Sequence, residues 1–291
     1  MNIRIIPRNK LDIAKYDRCI TQAICPMPYA FSAHLDVVAY HWKVIVLGDY
    51  EMVMPIAYNR KLLGAPQVYH PFYAQQLGAF GRFQRDVVVV KAMLAALSKF
   101  YVRVNMQMNS ANPIPRLKGW SFRQRTNYEL NLNQPYESIR KSYRKGHKSN
   151  IKSSQSMNYM DVELFSAAAF AKIMAALPTT VGLGQLMDLV ALYGTEDIQV
   201  VRLNDGSIGA IGFFPKLSRF MEGPERIVYL VGHTTEAGRK AFSGHFMLDA
   251  IIRAHAGTRC VLDFEGSELP GVSSFFKGFG PIDVPYLLAT R

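Results

Sequence analysis

The chain has few cysteines and no pattern of metal ligands. Its three cysteines, Cys19, Cys25 and Cys260, are an odd number without CxxC spacing. This pattern favours free thiols in a reducing cytoplasm over a disulfide framework. The seven histidines include no HExxH motif and no His-Cys ligand spacing, so we expect no metal site.

Several other signals are missing. The N-terminal residues lack the long apolar run and small-residue cleavage site of a secretory signal. The apolar run from Val87 to Val90 is interrupted by Lys91 and is too short to span a bilayer. We therefore expect a soluble, cytoplasmic protein with no integral membrane segment. Neither a GxSxG elbow nor a Walker loop is present, which argues against a serine hydrolase and a P-loop kinase.

What the chain does contain is a repeated pattern. It has 291 residues, 49% of them hydrophobic, enough for two cores of ordinary size. A strand followed by a turn is predicted at residues 42–49, and the same pattern recurs at residues 198–205. In both halves a helix, a strand, a Pro-bearing loop and a closing stretch follow, the closing stretches being 120–132 and 275–289.

We therefore predict two α/β units. The first is residues 1–135 and the second residues 157–291, with a basic helical connector at residues 136–156 between them. A tandem of this kind suggests a ligand-binding cleft between domains. In the first unit, Asp86 is predicted to cap a helix from Val87 to Phe100 whose nearly continuous apolar residues should be well buried. In the second, residues 226–231 are predicted as one strand and 273–280 as a helix.

The connector carries much of the positive charge. The chain has 34 basic and 22 acidic residues, a formal charge of +12. Residues 139–152 contain no acid and six basic residues: Arg140, Lys141, Arg144, Lys145, Lys148 and Lys152. Such a run attracts the phosphates of RNA, a nucleotide or a coenzyme, although it is also typical of a solvated helix.

Two further segments are candidates for ligand binding. Tyr73 and Gln75 lie in a loop rich in aromatic and amide residues, which would suit either a polar ligand or a packed turn. Ser243 and Gly244 precede a predicted helix, where backbone N–H groups could meet an anion or could serve only as ordinary cap residues.

The order of the predicted elements and two segments of the sequence resemble a known family. The order of elements in each half resembles a GNAT-type N-acyltransferase unit, and the tandem resembles the Fem family of nonribosomal peptidyltransferases. Residues 138–152 are similar to that family's basic entry into its second unit. Residues 261–267, followed by Phe275–Gly280, resemble its C-terminal signature. The implied fold is α/β of the α+β type, with a central mixed, largely antiparallel sheet flanked by helices in each unit.

The resemblance implies acyl transfer to an amine. Fem-type enzymes move an amino acid from aminoacyl-tRNA onto a cell-wall peptide precursor, whereas the wider GNAT superfamily uses acyl-CoA. The superfamily's pyrophosphate loop is absent, because Arg239 is followed three residues later by Phe242. This departure favours the aminoacyl donor. The arginine that Fem enzymes use for their acceptor has no counterpart in residues 165–193.

Acyl transfer passes through an oxyanion, which a hydrogen-bond donor or a cation must stabilise, and the attacking amine must be neutral. Lys277, among Phe275, Phe276 and Phe279, is the best candidate for the cation. Asp263 and Glu265 alternate along a strand end, so only one should reach the cleft, as a proton acceptor or to orient the amine. The resemblance places an acceptor-contacting tyrosine at Tyr229. Each of these residues also suits a purely structural role.

Three hypotheses therefore stand. The first is a Fem-like aminoacyltransferase, the second a CoA-dependent N-acyltransferase, and the third a non-catalytic module that binds RNA or another polyanion. No tightly bound cofactor is expected, since aminoacyl-tRNA or acyl-CoA would be a cosubstrate. The expected partners are a small or peptidic amine and, for the first hypothesis, tRNA, but not DNA.

Overall fold

The chain forms two compact units. The computed structural model describes residues 1–62, 65–161, 163, 165–177 and 181–291. Unit 1 comprises residues 1–125 together with 285–291, and unit 2 comprises residues 126–284.

The chain contains both helices and strands, often in runs of one type. Residues 1–125 form β1 (Ile3–Pro7), α1 (Ile13–Thr21), α2 (Ser32–Val38), β2 (Trp42–Leu47), β3 (Met52–Leu62), β4 (Ala65–Val68), β5 (Phe80–Gly81), α3 (Val87–Ser98), β6 (Arg103–Met108) and β7 (Ser121–Arg125). Residues 126–291 form β8 (Tyr128–Asn131), α4 (Tyr136–Lys141), α5 (Lys145–Ser154), β9 (Asn158–Met160), α6 (Ala167–Ala175), α7 (Leu183–Tyr193), β10 (Ile198–Leu203), β11 (Ile208–Phe213), β12 (Glu225–Val228), β13 (Val231–Thr234), α8 (Glu236–Lys240), α9 (Ser243–His255), β14 (Cys260–Asp263), α10 (Pro270–Lys277), β15 (Ile282–Asp283) and β16 (Tyr286–Thr290). Short 3-10 helices occur at Arg8–Lys10, Pro28–Ala30, Thr195–Asp197 and Leu217–Arg219.

Unit 1 is built on one sheet with the order β1-β2-β3-β4-β6-β16-β7, and β5 pairs with β3. The β4–β6 pair is parallel and the other pairs are antiparallel. Helix α3 packs on this sheet, and Asp86 caps it as predicted by accepting hydrogen bonds from the backbone of Val88 and Val89 at 2.8 and 3.2 Å.

Helix α3 is less buried than its sequence predicts. Val89, Val90, Met93, Leu94 and Leu97 lie in the core of unit 1. In contrast, Val88 is 60% exposed, and Ala92, Ala95 and Ala96 are half-buried. The prediction of a well-buried helix is therefore correct for one face only, because a single sheet covers a single face.

Unit 2 is built on two four-stranded sheets. One has the order β13-β11-β10-β9 and the other β12-β14-β8-β15. Only the β12–β14 pair among these is parallel. Helix α9 lies against the first of these sheets, contacting β10 and β11, and its residues Met247, Leu248 and Ile252 are buried in the core.

The repeated pattern corresponds to repeated structure. The matched strands are β2 and β10, the helices that follow are α3 and α9, and the next strands are β6 and β14. Each unit has one parallel pair at the same place, β4 with β6 and β12 with β14. The predicted mixed, largely antiparallel architecture is present in both units.

The boundaries of the units differ from the predicted ones. The sequence predicts that the stretch 120–132 closes the first unit, but only β7 belongs to unit 1, whereas β8 lies between β14 and β15 in unit 2. Likewise β16 at the C-terminus lies between β6 and β7 in unit 1. Each half of the chain thus contributes one inner strand to the other half's unit, which a repeat in the sequence does not reveal.

The predicted connector is part of unit 2. Residues 136–156 form α4 and α5, and the latter packs against α9. Ile139, Tyr143 and Ile151 are buried in the core of unit 2. The apolar residues spaced among the basic ones are therefore what fix this segment to the unit.

Within the described parts of the chain, no helix is both long enough and apolar enough to cross a membrane.

The position of β16 leads to a testable expectation. Leu287 is 6% exposed and its neighbour Leu288 is only half-buried. Leu287→Ala should lower the free energy of unfolding of unit 1 by about 2–4 kcal/mol, because truncation leaves a cavity in its core. Hydrogen exchange should then quicken in β6 and β7, which come far earlier in the chain but flank β16 in the sheet. Leu288→Ala is the matched control, and equal effects of the two variants would contradict the expectation.

Candidate functional site

In unit 2 the chain from β12 to β13 loses one of its two strand neighbours halfway along. Strand β12 runs parallel to β14 as far as the pair Val228–Asp263, and the N–H of Tyr229 still donates to the carbonyl of Asp263 at 2.8 Å. After Leu230 the chain continues as β13, which pairs with β11 in the other sheet. The single strand predicted for residues 226–231 is thus divided at Tyr229 and Leu230.

We call the gap between β13 and the end of β14 the strand opening. Strand β13 is the edge strand of its sheet. Strand β12 is bonded on both sides, to β14 and to the segment after β11, where Ile227 pairs with Lys216 and the N–H of Val228 donates to the carbonyl of Pro215 at 3.0 Å. An edge strand has backbone N–H and C=O groups without a strand partner, and such groups can bind the amide groups of an extended ligand. The strand opening is therefore our candidate site.

Tyr229 lies at the strand opening within a group of aromatic rings. Its ring stacks on Phe214 with centroids 4.7 Å apart and meets Phe276 edge-on at 5.8 Å. A Cβ atom at Gly232 would collide with the Tyr229 hydroxyl, and one at Gly212 would lie 2.6 Å from the Phe214 ring. Burial raises the pKa of Tyr229 to about 12, so the phenol is protonated at neutral pH and can donate a hydrogen bond.

Helix α10 and the turn that follows it supply most of the remaining rings. Phe276 is buried, Phe279 is fully buried, and Phe275 is half-buried. The helix extends over Pro270–Lys277 instead of the predicted 273–280. Pro270 at its first turn has no N–H to leave unpaired, which favours a start at that residue.

Lys277 is exposed at the last turn of α10. Its ammonium lies 5.2 Å from the centroid of the Tyr128 ring, a cation–π contact. The Tyr128 hydroxyl is in turn 2.6 Å from the hydroxyl of Ser273 on the same helix. The Tyr128 ring thus limits the positions open to the Lys277 side chain, which keeps its charge in water.

Asp263 is wholly buried and both of its carboxylate oxygens are engaged. Oδ2 accepts from Arg226 at 2.6 Å, and Oδ1 accepts from the backbone N–H of Glu265 at 3.0 Å. Arg226 also donates to Glu129 at 2.9 Å. Burial raises the pKa of Glu129, and the Arg226 charge opposes that rise. These contacts suit a positioning role for Asp263 better than proton transfer with a bound amine.

Glu265 lies outside the strand, so the expected alternation with Asp263 does not apply to it. Strand β14 ends at Asp263, and Glu265 and Gly266 both have left-handed backbones, with φ of 58° and 59°. A Cβ at Gly266 would collide with the carbonyl of Thr126, so only glycine fits there. Glu265 is half-buried in the resulting turn.

Two histidines that no sequence motif marks lie side by side next to α10. The rings of His147 on α5 and His245 on α9 are 4.6 Å apart, and the ring of Phe275 is 4.9 Å from that of His245. His147 Nε2 lies 2.9 Å from the carbonyl of Phe275, and His245 Nε2 lies 3.2 Å from the amide nitrogen of Asn150. Burial lowers the pKa of both rings, that of His245 to about 4. The pair is therefore neutral at pH 7.

Metal-ligand spacing could not have pointed to these histidines, because their distance in sequence matches no motif. The available signal was position, since His147 lies in the basic run and His245 directly follows the Ser243-Gly244 pair.

Ser243 and Gly244 are both buried at the start of α9. The Ser243 hydroxyl donates to the side chain of Asn158 at 2.5 Å. A Cβ at Gly244 would lie 3.0 Å from the Thr234 hydroxyl and 3.6 Å from the Phe275 ring. The small residues predicted to meet an anion here are thus engaged in packing within unit 2.

The basic residues of α4 and α5 differ in exposure. Arg140 and Lys148 are half-buried, and Lys148 donates to the carbonyl of Lys141 at 2.9 Å. Arg144 is exposed and lies 3.3 Å from the hydroxyl of Ser274 on α10. Lys141, Lys145 and Lys152 are also exposed.

Tyr73 and Gln75 belong to unit 1 and lie in an internally bonded loop. The carbonyl of Tyr73 is 2.9 Å from His34 Nε2, and Gln75 accepts from the side chain of Gln76 at 3.0 Å. Tyr73 has a left-handed backbone with φ of 60°. These contacts are those of a packed turn.

The depressed pKa of His245 leads to a pH-dependent stability. Since its ring is harder to protonate when folded than when unfolded, stability is lost as pH falls from about 6.5 towards about 4. His245→Gln should make that loss shallower by up to about 1.4 kcal/mol per pH unit within this window. Chemical unfolding at pH 7, 6, 5 and 4.5 measures it, with Lys240→Gln on α8 as the control substitution. An unchanged slope in His245→Gln would mean that the ring titrates alike in both states.

Comparisons with known proteins support the fold. No known family profile matches the chain, and no curated protein matches it in sequence. Among solved structures, FemX superposes with a TM-score of 0.68 at 11% identity, covering 99% of this chain and 97% of FemX. A GNAT-family acetyltransferase from Colwellia psychrerythraea gives 0.57 at 9% identity, covering 100% and 99%. The C-terminal domain of a putative lysylphosphatidylglycerol synthetase from Agrobacterium fabrum gives 0.52 at 12% identity, covering 96% and 91%.

These identities are too low to carry a function by themselves, but the similarity extends over nearly the whole of each chain. The chain therefore has the tandem GNAT-like fold of FemX, as its sequence predicts.

Proposed function

We propose that the protein is an N-acyltransferase that moves an aminoacyl group from tRNA to an amine. The observation that carries the proposal is the strand opening at Tyr229, where backbone groups of an edge strand adjoin a protonated phenol and a wall of aromatic rings. The similarity of fold to FemX and to a GNAT-family acetyltransferase adds support, since the second of these is by name an acyl-transferring enzyme.

For this reaction the protein must position the amine against the donor and stabilise the negative charge that develops. The neutral amine attacks the carbonyl carbon of the donor, forming the C–N bond and an oxyanion. The oxyanion collapses with loss of the ester oxygen, which takes up the proton that the amine releases. The Tyr229 hydroxyl is a suitable hydrogen-bond donor to the oxyanion. Lys277, which follows the Tyr229-contacting Phe276 on α10, is the candidate for the positive charge.

Two features favour an aminoacyl-tRNA donor over acyl-CoA. Ser243 and Gly244, the small residues that would meet a diphosphate at the start of α9, are buried and packed. In the same unit, α4 and α5 carry exposed lysines suited to an RNA backbone. The acceptor would be an amine of a small molecule or peptide, a cell-wall precursor included. A charged tRNA donor also agrees with the predicted cytoplasmic location.

The role of Lys277 can be tested by removing its charge. In Lys277→Met, transfer of a labelled amino acid from charged tRNA to a lysine-containing peptide should fall about 100- to 1,000-fold, because one oxyanion-stabilising group is removed. Binding of charged tRNA should stay within about twofold. Lys277→Arg should retain part of the rate, and Lys240→Met on α8 controls for removal of an exposed lysine. A Lys277→Met protein with full transfer activity would remove Lys277 from the reaction.

Donor binding can be tested separately by its dependence on salt. Affinity for charged tRNA should fall as salt rises, because each lysine on a phosphate displaces counterions. The double variant Lys145→Gln/Lys152→Gln should reduce the slope of log K against log salt by up to about 1.8, near 0.9 for each lysine that no longer neutralises a phosphate. Lys240→Gln is the matched control, since its ammonium is already paired with Glu236 at 3.1 Å.

Each possible result of the binding experiment is informative. Tighter binding of charged than of uncharged tRNA supports the proposal. Equal binding of both, with no transfer, points to a non-catalytic RNA-binding protein. Thermal stabilisation by acyl-CoA and not by tRNA would replace the proposed donor with CoA.

A further inference from the structure

Helix α3 of unit 1 has an apolar face that the core does not cover. Ala92, Ala95 and Ala96 are half-buried on that face, and Phe100 just beyond the helix is 59% exposed. The exposed face of an ordinary surface helix is polar. An apolar face of small side chains therefore calls for a separate explanation.

These residues line a cavity of about 700 Å³ between α3 and the first strands of the sheet. The opposite wall consists of Ile3 and Ile5 of β1, both half-buried. The floor includes Tyr101, which is 3% exposed. Because alanine projects only a methyl group, the α3 wall leaves space that leucine at the same positions would fill. The volume lies within the usual range of small-molecule sites.

The charged side chains of the cavity are cationic. Lys43 of β2 and Lys99 at the end of α3 line it, and none of its described lining residues is acidic. The Lys43 ammonium lies 4.7 Å from the centroid of the Tyr58 ring, which limits the positions of its side chain. Lys99 follows the C-terminus of α3, where the helix dipole favours a positive charge.

From the apolar walls and the two lysines, we propose that this cavity binds a single-chain anionic amphiphile, a fatty acid or a lysophospholipid with an anionic head. The alkyl chain lies along Ala92, Ala95 and Ile5, and the anionic head pairs with Lys43 and Lys99. The cavity is in unit 1 and the strand opening is in unit 2, so this proposal does not rest on the proposed transferase activity.

Affinity should depend on both the chain and the head group. Each methylene removed from the series dodecanoate, undecanoate and decanoate should weaken binding about fourfold, the effect of one buried CH₂. Dodecyl maltoside, with the same chain and an uncharged head, should bind more weakly than dodecanoate. Dodecyltrimethylammonium should bind more weakly still, because two lysines would repel its head.

The experiment is isothermal titration of the full chain with sodium dodecanoate below its micelle concentration. The expected result is one saturable site. Lys99→Gln should weaken binding about two- to fivefold, the effect of one partly exposed ion pair. Lys91→Gln, an exposed lysine of the same helix that does not line the cavity, should leave it unchanged.

Filling the cavity provides an independent test. Ala95→Leu should abolish dodecanoate binding while the thermal midpoint stays the same or rises, since the added methyl groups occupy the cavity. If Ala95→Leu fails to fold, the comparison of dodecanoate binding by Lys99→Gln and Lys91→Gln still tests the proposed site. Equal binding of all three head groups, equal effects of Lys99→Gln and Lys91→Gln, or binding only to vesicles and micelles would overturn the proposal.

Discussion

A guanidinium buried between two carboxylates is the interaction on which unit 2 depends. Arg226 of β12 contacts Asp263 of β14 at 2.6 Å and Glu129 of β8 at 2.9 Å, and so links three neighbouring strands. Burial raises the pKa of Glu129, and the charge of Asp263 adds to the rise, because one cation cannot neutralise two carboxylates. Removal of Arg226 would leave two buried acids unpaired, a far greater cost than loss of an exposed ion pair. The triad therefore holds β12, β14 and β8 together at the point where β13 departs.

The strand opening follows from where that fixed region ends. The N–H of Tyr229 donates to the carbonyl of Asp263, and two residues later β13 begins, which pairs with β11 but not with β14. Gly212 and Gly232 are the glycines whose missing side chains leave room for the Tyr229 and Phe214 rings. The wall of the opening thus depends on backbone space as much as on the aromatic residues. This explains how a rigid ion triad and an accessible edge strand can lie within a few residues of one another.

The sequence pattern predicts helices and strands better than it predicts which strands pair with each other. The strands at 42–47 and 198–203 and the capped start of α3 at Val87 agree with the structure because hydrophobic periodicity and capping are local. The divided strand at Tyr229 is not predictable, because residues 226–231 are a continuous β-forming stretch and the loss of pairing with β14 depends on where that distant strand ends. The exchange of β8 and β16 escapes prediction for the same reason. Of the candidate site, Tyr229 and the α10 aromatics are identifiable in the sequence, whereas His147 and His245 meet only through tertiary packing.

In each unit the chain leaves a parallel strand pair, β4–β6 or β12–β14, and the two units differ in what then lies beside the strand that has lost its partner. In unit 1 the chain leaves β4 and then returns beside β6, where Leu77 donates to Gln107 and His70 Nδ1 accepts from the N–H of Gln107 at 3.2 Å. The buried amides of Gln84, Asn109 and Asn112 then bond the returning segment, so polar groups along it find partners within unit 1. The loop bearing Tyr73 belongs to this returning segment of unit 1. In unit 2, β13 pairs with β11 and remains the edge strand of its sheet. A duplicated fold can therefore use one copy for an open site while the equivalent position of the other is closed by its own chain.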